Sequence, residues 1–124
     1  MPEKPDGPGS SGKSASSDAL PLLKGTLDLL VLKALAWHPM HGVEIIAWLE
    51  ERSGGSLDVD DGALYYALHR MEERDFIAAD WRITDNNRRA RYYKLRPAGR
   101  AYLKGAGADL ARYAATLTAI LGPA

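Results

Sequence analysis

Apolar residues recur with the period of a helix in four stretches of this chain, and with the period of a strand in two shorter ones. The predicted helices cover residues 22–37, residues 43–53, a segment from about residue 60 to about residue 74, and a segment from residue 97 onward. The predicted strands lie around residues 77–81 and 92–95, with the turn-forming residues 84–87 between them. The pattern therefore predicts three helices, a β-hairpin and a fourth helix.

The first 19 residues differ in composition from the rest of the chain. They are rich in Gly, Pro, Ser and Lys and carry almost no large apolar side chain. Such a segment buries too little surface to offset the entropy of ordering, so we expect it to be disordered. The chain then divides into a tail at residues 1–19, a compact unit at residues 20–96 and a terminal helix at residues 97–124.

The predicted third helix has two unlike faces. Leu64, Leu68 and Met71 recur at i, i+4 and i+7 and form an apolar stripe. The other side carries polar and aromatic residues: Tyr65, Tyr66, His69 and Arg70. A surface of this kind suits a groove of nucleic acid, and it is equally typical of ordinary solvated surface.

The formal net charge is zero, but the charges are distributed unevenly. Residues 44–80 hold ten acids against three arginines, whereas residues 82–100 hold seven bases against one acid. A basic block of this density attracts phosphate even in a neutral protein. Three of its arginines follow the predicted turn: Arg88, Arg89 and Arg91.

The last predicted helix carries apolar residues at alternating spacings of three and four. These residues are Leu103, Ala106, Leu110, Tyr113, Leu117 and Ile120. A seam of this kind packs against another helix, either within the same chain or in a second subunit. The first predicted helix is apolar around most of its circumference, which favours the second subunit. We therefore expect dimerisation through the last helix.

Several functional classes lack their signatures in this sequence. Cysteine is absent, and no phosphate loop, nucleophile motif or metal-ligand cluster is present. The pair His38 and His41 falls in a predicted turn without supporting ligands. The longest apolar run, residues 29–37, is too short to span a bilayer. We expect a cytoplasmic protein that is not an enzyme, with no cofactor, no metal and no membrane contact.

Three helices followed by a charged hairpin are the arrangement of a winged helix-turn-helix. The fold class is therefore mainly α with a small β-hairpin, extended by a C-terminal dimerisation helix. In such a fold the third helix enters the major groove and the hairpin, or wing, reaches the phosphates. A winged helix that binds protein instead of DNA is the alternative, since a fold does not fix a function.

The chain resembles the PadR family of bacterial transcriptional regulators over about residues 22–121. The resemblance rests on four blocks in order: Pro-Leu-Leu-Lys-Gly-Thr-Leu-Asp-Leu-Leu-Val-Leu (residues 21–32), Pro-Met-His-Gly-Val-Glu-Ile (residues 39–45), Gly-Ala-Leu-Tyr-Tyr-Ala-Leu-His-Arg-Met-Glu (residues 62–72) and Asn-Asn-Arg-Arg-Ala-Arg-Tyr-Tyr-Lys-Leu (residues 86–95). The single terminal helix is similar to that of the family's shorter members.

The resemblance implies a homodimeric repressor that binds a palindromic promoter site in double-stranded DNA. It places Tyr65 and Arg70 in the recognition-helix motif and the three arginines after the turn in the wing. It also implies that a small hydrophobic effector can bind, and the aromatic residues Trp37, Trp48 and Tyr113 are candidates to line its site. Ala63, Tyr66 and Val43 depart from the residues usual in the family. Ala63 and Tyr66 lie in the recognition-helix motif, so the operator sequence of a relative does not carry over to this protein.

Overall fold

The computed structural model describes residue 20, residues 22–23 and residues 25–123. The predicted disordered tail lies outside these residues. The elements run in the order α1 (Thr26–Trp37), α2 (Gly42–Ser53), α3 (Asp61–Glu73), β1 (Ile77–Ile83), β2 (Arg89–Leu95) and α4 (Pro97–Leu121). The predicted order of three helices, a hairpin and a fourth helix is confirmed.

The start of the first helix was predicted wrongly. The apolar pattern extends to Leu22, but α1 begins only at Thr26. Gly25 precedes it with φ at 85°, in the left-handed region, where a right-handed helix cannot continue. Leu22 still packs against the core, from outside the helix. Its apolar character reflects burial rather than helical structure.

The core lies where α1, α2 and α3 meet. Val31, Leu32 and Ala34 of α1 are fully buried, as are Ile45 of α2 and Met71 of α3. Because α1 is buried on most of its circumference, it forms the centre of the unit. The amphipathic helices α2 and α3 pack on it with one face each, which leaves the other face of α3 exposed.

Side-chain caps fix where α2 and α3 begin. Asp60 caps α3 and accepts a hydrogen bond from the Ala63 backbone N–H at 2.9 Å. At α2, His41 Nδ1 accepts from the Glu44 backbone N–H at 3.4 Å, and Glu44 Oε1 accepts from the His41 N–H at 3.1 Å. His41 therefore has a structural role in this fold.

Backbone hydrogen bonds connect the base of the hairpin to the turn before α2. β1 and β2 pair antiparallel, and the buried Tyr93 of β2 also pairs with Met40 in the turn before α2. Met40 N donates to Tyr93 O at 3.1 Å, and Tyr93 N donates to Met40 O at 2.9 Å. Burial of the Tyr93 phenol raises its pKa above the usual value. This isolated β-bridge at Met40 holds the base of the hairpin beside the start of α2.

The fourth helix begins in contact with the hairpin and then leaves the body of the protein. Gly99 lies against the Phe76 backbone just before β1, and Phe76 stacks on Tyr102 at a centroid distance of 4.8 Å. Beyond Leu110, every α4 residue is exposed. Within the described residues, no helix combines the length and the apolar character needed to cross a membrane.

Candidate nucleic-acid interface

The outer face of α3 displays the aromatic residues that the sequence singled out. Tyr65 and Tyr66 are 62% and 63% exposed, while Leu64 and Leu68 on the other side are buried. The period of the helix decides this division, because residues three and four positions apart share a face. The structure thus places the residues that α3 is predicted to present to DNA on one exposed surface: Tyr65, Tyr66, His69 and Arg70.

Contacts between neighbouring side chains order this surface. The Tyr65 ring is nearly parallel to the His69 imidazole, with 6.3 Å between centroids, and meets the Tyr66 ring edge-on at 5.6 Å. His69 Nε2 lies 3.5 Å from Glu73 Oε2 one turn later. Side chains arranged in this way lose less rotamer freedom when they contact a ligand.

Arg70, also on this face, is held by a helix at the centre of the fold. Its Nη2 donates to Asp28 Oδ1 of α1 at 2.7 Å, across 42 positions of sequence. The Asp28 side chain is largely buried and that of Arg70 is more than half exposed. Because a guanidinium has five N–H donors, Arg70 keeps donors free for a further partner. Asp28 is the single acid in α1, but no sequence pattern indicated that it pairs with Arg70.

A second ion pair joins the wing to α3. Arg91 Nη2 of β2 donates to Glu72 Oε2 at 2.7 Å. The pair connects the wing to α3 beside the exposed face of that helix. Glu72 lies in the block of residues 62–72 that resembles the PadR family. The sequence alone did not indicate its contact with Arg91.

The hairpin turn presents the other two predicted wing residues. Thr84 Oγ1 accepts from the backbone N–H groups of Asn86 and Arg88, each at 3.3 Å, and Asn87 adopts a left-handed φ of 61°. Asparagine tolerates this conformation better than most residues. Arg88 is exposed beside the turn, and the Arg89 guanidinium lies over the ring of another wing residue, Trp81, at 4.7 Å.

Comparison with known proteins shows the family of this chain. The sequence model of the transcriptional regulator PadR-like family matches residues 31–105, which is more than half of the chain. The chain belongs to the PadR-like family. This confirms both the resemblance and the winged-helix fold class predicted from the sequence.

Individual known proteins match most of the chain. The chain is 36% identical over 81 residues to the transcriptional regulator Rv3488 of Mycobacterium tuberculosis, a match that covers 64% of this chain and 71% of that protein. A PadR family transcription regulator from Clostridium difficile R20291 matches 79% of this chain and all of its own, with 26% identity and a TM-score of 0.68. A PadR-like transcription factor from Bacteroides fragilis matches 78% of this chain and 91% of its own, with 28% identity and a TM-score of 0.63.

In this PadR-like chain the predicted dimerisation seam divides into two parts. Leu103 packs against the core and Leu110 is half-buried, so the first part of the seam is covered by the chain itself. Tyr113, Leu117 and Ile120 are exposed, Ile120 to 71%. Between α1 and the first part of α4 runs an open groove of about 600 Å³ that is predominantly apolar. The single chain therefore carries an uncovered helix face and a groove beside it.

The predicted effector residues do not meet within one chain. Trp37 is exposed at the end of α1 and Tyr113 is exposed on α4. Trp48 is half-buried on α2 under the Arg52 guanidinium, 4.6 Å from its ring centroid. None of the three lines the groove between α1 and α4. An effector site formed by these residues remains a prediction.

Proposed function

We propose that this protein is a homodimeric, sequence-specific DNA-binding transcriptional repressor. The observation that carries the proposal is the Arg91–Glu72 ion pair, because it sets the arginine wing beside the exposed face of α3. In this arrangement α3 enters the major groove and the wing lies over the adjoining phosphates. Tyr65, Tyr66 and His69 meet base edges or phosphates from α3.

The arginines in ion pairs take part without giving up their partners. Arg70 and Arg91 each donate through Nη2 to a carboxylate and have further N–H donors. Arg88 and Arg89 extend the same surface to the hairpin turn. The paired arginines orient the interface, and the two arginines near the turn supply most of the attraction for the DNA backbone.

The proposed dimer follows from the exposed half of α4. Tyr113, Leu117 and Ile120 of one chain pack against the partner's α4 and the groove beside its α1. Two recognition helices then meet successive major grooves about 34–36 Å apart, which matches a palindromic site. The effector proposed from the family resemblance would bind at the dimer interface, with Trp37, Trp48 and Tyr113 as the residues predicted to line its site.

The wing assignment is tested with Arg88→Ala/Arg89→Ala and DNA from the region upstream of the protein's own gene. We expect affinity to fall by at least about tenfold at 0.15 M salt, because two phosphate contacts are lost in each of the two subunits. The slope of log affinity against log salt should decrease by about four. Fluorescence anisotropy across a salt series measures both quantities.

Lys94→Ala is the matched control, since Lys94 is an exposed cation on β2 nearer the base of the hairpin. It should change the salt slope by less than half as much as the double variant. Equal binding by the wild-type protein and the double variant would overturn the wing assignment. A wild-type protein that forms salt-independent protein complexes and retains no DNA would favour the protein-interaction alternative.

The Asp28–Arg70 pair makes a separate prediction. Asp28→Asn removes a negative charge, which by itself would strengthen DNA binding, but it also frees Arg70 from its fixed position. If Arg70 must be oriented to read bases, the variant should bind the upstream site several-fold more weakly and unrelated DNA no more weakly. Competition between the two DNAs measures this ratio, and an unchanged ratio would contradict the orienting role.

A further inference from the structure

One face of the wing changes from core to open surface along its length. On this face of the antiparallel ladder the cross-strand pairs are Ile77–Leu95, Ala79–Tyr93, Trp81–Arg91 and Ile83–Arg89. The first two pairs are buried or half-buried against the helices. The last two pairs are exposed, and in each a large apolar residue faces an arginine. We call Trp81, Ile83, Arg89 and Arg91 the outer wing face.

Folding of the single chain does not account for the apolar residues of this face. Trp81 is 58% exposed and Ile83 is 63% exposed, although neighbouring positions at a hairpin turn are usually polar. Two large apolar side chains in consecutive pairs of one face form a continuous surface rather than isolated exposures. Contiguous exposed apolar surface rimmed by polar groups is typical of an interaction site.

The charges around this surface identify the kind of partner. Each apolar residue lies opposite an arginine, and Arg89 stacks over the Trp81 ring. The acid Asp80, on the opposite face of the hairpin, lies 3.3 Å from its neighbour Arg82. At the outer wing face, Glu72 of α3 already pairs with Arg91, whereas Arg89 has no carboxylate partner among the described residues. A partner that covers Trp81, Ile83 and Arg89 must therefore combine negative charge with apolar surface at close spacing. The phosphate–deoxyribose edge of duplex DNA has this combination.

The stacked pair is already suited to such an edge. Stacking on an indole restrains the Arg89 side chain and leaves the N–H donors in the plane of its guanidinium free for phosphate oxygens. The remaining surface of Trp81 and Ile83 can then lie against deoxyribose without removing a charged group from water. The contact requires no rearrangement of the hairpin.

We propose that Trp81 and Ile83 form an apolar contact with the sugar edge of the DNA, while Arg89 binds the adjacent phosphate. This inference rests on the proposed DNA-binding function and adds two residues that contribute affinity independently of salt. Apolar contacts release no counterions, so their loss lowers affinity without changing the salt slope. The two kinds of contact on this face can therefore be separated by experiment.

The test compares Trp81→Ala, Ile83→Thr and Arg89→Ala on the upstream DNA across a salt series. Trp81→Ala should bind about tenfold more weakly at every salt concentration with an unchanged slope, and Ile83→Thr should show a smaller loss of the same form. Arg89→Ala removes one phosphate contact from each of the two subunits and should reduce the slope by about two. Arg82→Ala, which removes a cation from the opposite face of the hairpin, is the control and should lower affinity and slope by less than half as much as Arg89→Ala.

Two outcomes would overturn the inference while the proposed function stands. The first is a Trp81→Ala variant that binds as well as the wild-type protein. The second is a loss that disappears when Trp81→Ala is made in the Arg89→Ala background, because Trp81 would then act only by holding Arg89. A wild-type protein that fails to bind DNA would instead overturn the function and the inference together.

Fluorescence provides an independent measurement. The chain has three tryptophans, so Trp37→Phe/Trp48→Phe leaves Trp81 as the single indole. Iodide should quench its emission in the free protein, and added upstream DNA should protect it. Protection that develops with protein concentration alone, without DNA, would assign the outer wing face to a protein contact and overturn the proposal.

Discussion

Replacing Gly99 with alanine should destabilise the folded protein by about 2 kcal/mol or more. A Cβ at this position would lie 2.2 Å from the Phe76 carbonyl oxygen and 3.0 Å from Leu95 Cδ1. The carbonyl cannot easily retreat, because it accepts the Arg96 backbone N–H at 2.9 Å. Alanine favours a helix by about 1 kcal/mol over glycine, which is too little to offset such a clash. Thermal unfolding followed by circular dichroism should show a midpoint lower by about 10 °C.

Gly105→Ala in the same helix is the matched control. No atom outside the helix backbone and the chain neighbours lies within 4 Å of a Cβ built at Gly105. The same substitution should therefore stabilise the protein by up to about 1 kcal/mol. A Gly99→Ala variant with an unfolding midpoint at or above that of the wild-type protein would contradict the close approach of α4 to the start of the hairpin.

Leu117→Glu/Ile120→Glu should convert the protein into a monomer and weaken binding to a palindromic site by more than about 100-fold. Both side chains are exposed on one face of α4, where each charge would be buried at the proposed interface. A monomer also loses the gain in effective concentration that comes from linking two half-site contacts. Analytical ultracentrifugation measures the assembly state, and anisotropy on the upstream DNA measures the affinity.

Ala115→Glu places a charge on the side of α4 opposite the seam, where residue 115 is also exposed. It should stay dimeric and bind DNA as the wild-type protein does. A double variant that remained dimeric would overturn the proposed interface. Normal DNA affinity in a monomeric double variant would instead separate dimerisation from recognition.

Local patterns in the sequence were sufficient to predict the elements and their faces. The spacing of Leu64, Leu68 and Met71 fixes which side of α3 is buried, so the exposure of Tyr65 and Tyr66 follows from the helix period alone. The prediction was wrong at the start of α1, because burial and helicity produce the same apolar signal. The left-handed backbone of Gly25 separates the two cases, and only the structure shows it.

Contacts between distant residues were beyond the reach of such patterns. Met40 pairs with Tyr93 and Arg70 pairs with Asp28, and neither partner follows from spacing or composition. Trp81 was assigned to a strand, but alternation alone does not reveal where along the strand the body of the protein ends. The pattern therefore predicted which residues share a surface, and the packing decided which of them are restrained by ion pairs.

The exposed end of α4 would make the stability of that helical segment depend on the concentration of the protein. Residues 115–121 are exposed throughout in the single chain, and a short helical segment without a packing partner is only marginally stable in water. A second copy would stabilise this segment by mass action, to a degree set by the concentration of the chain. The number of copies in a cell would then determine the fraction of the protein in which the end of α4 is ordered. A small change in synthesis would therefore have a more than proportional effect on the number of ordered dimers.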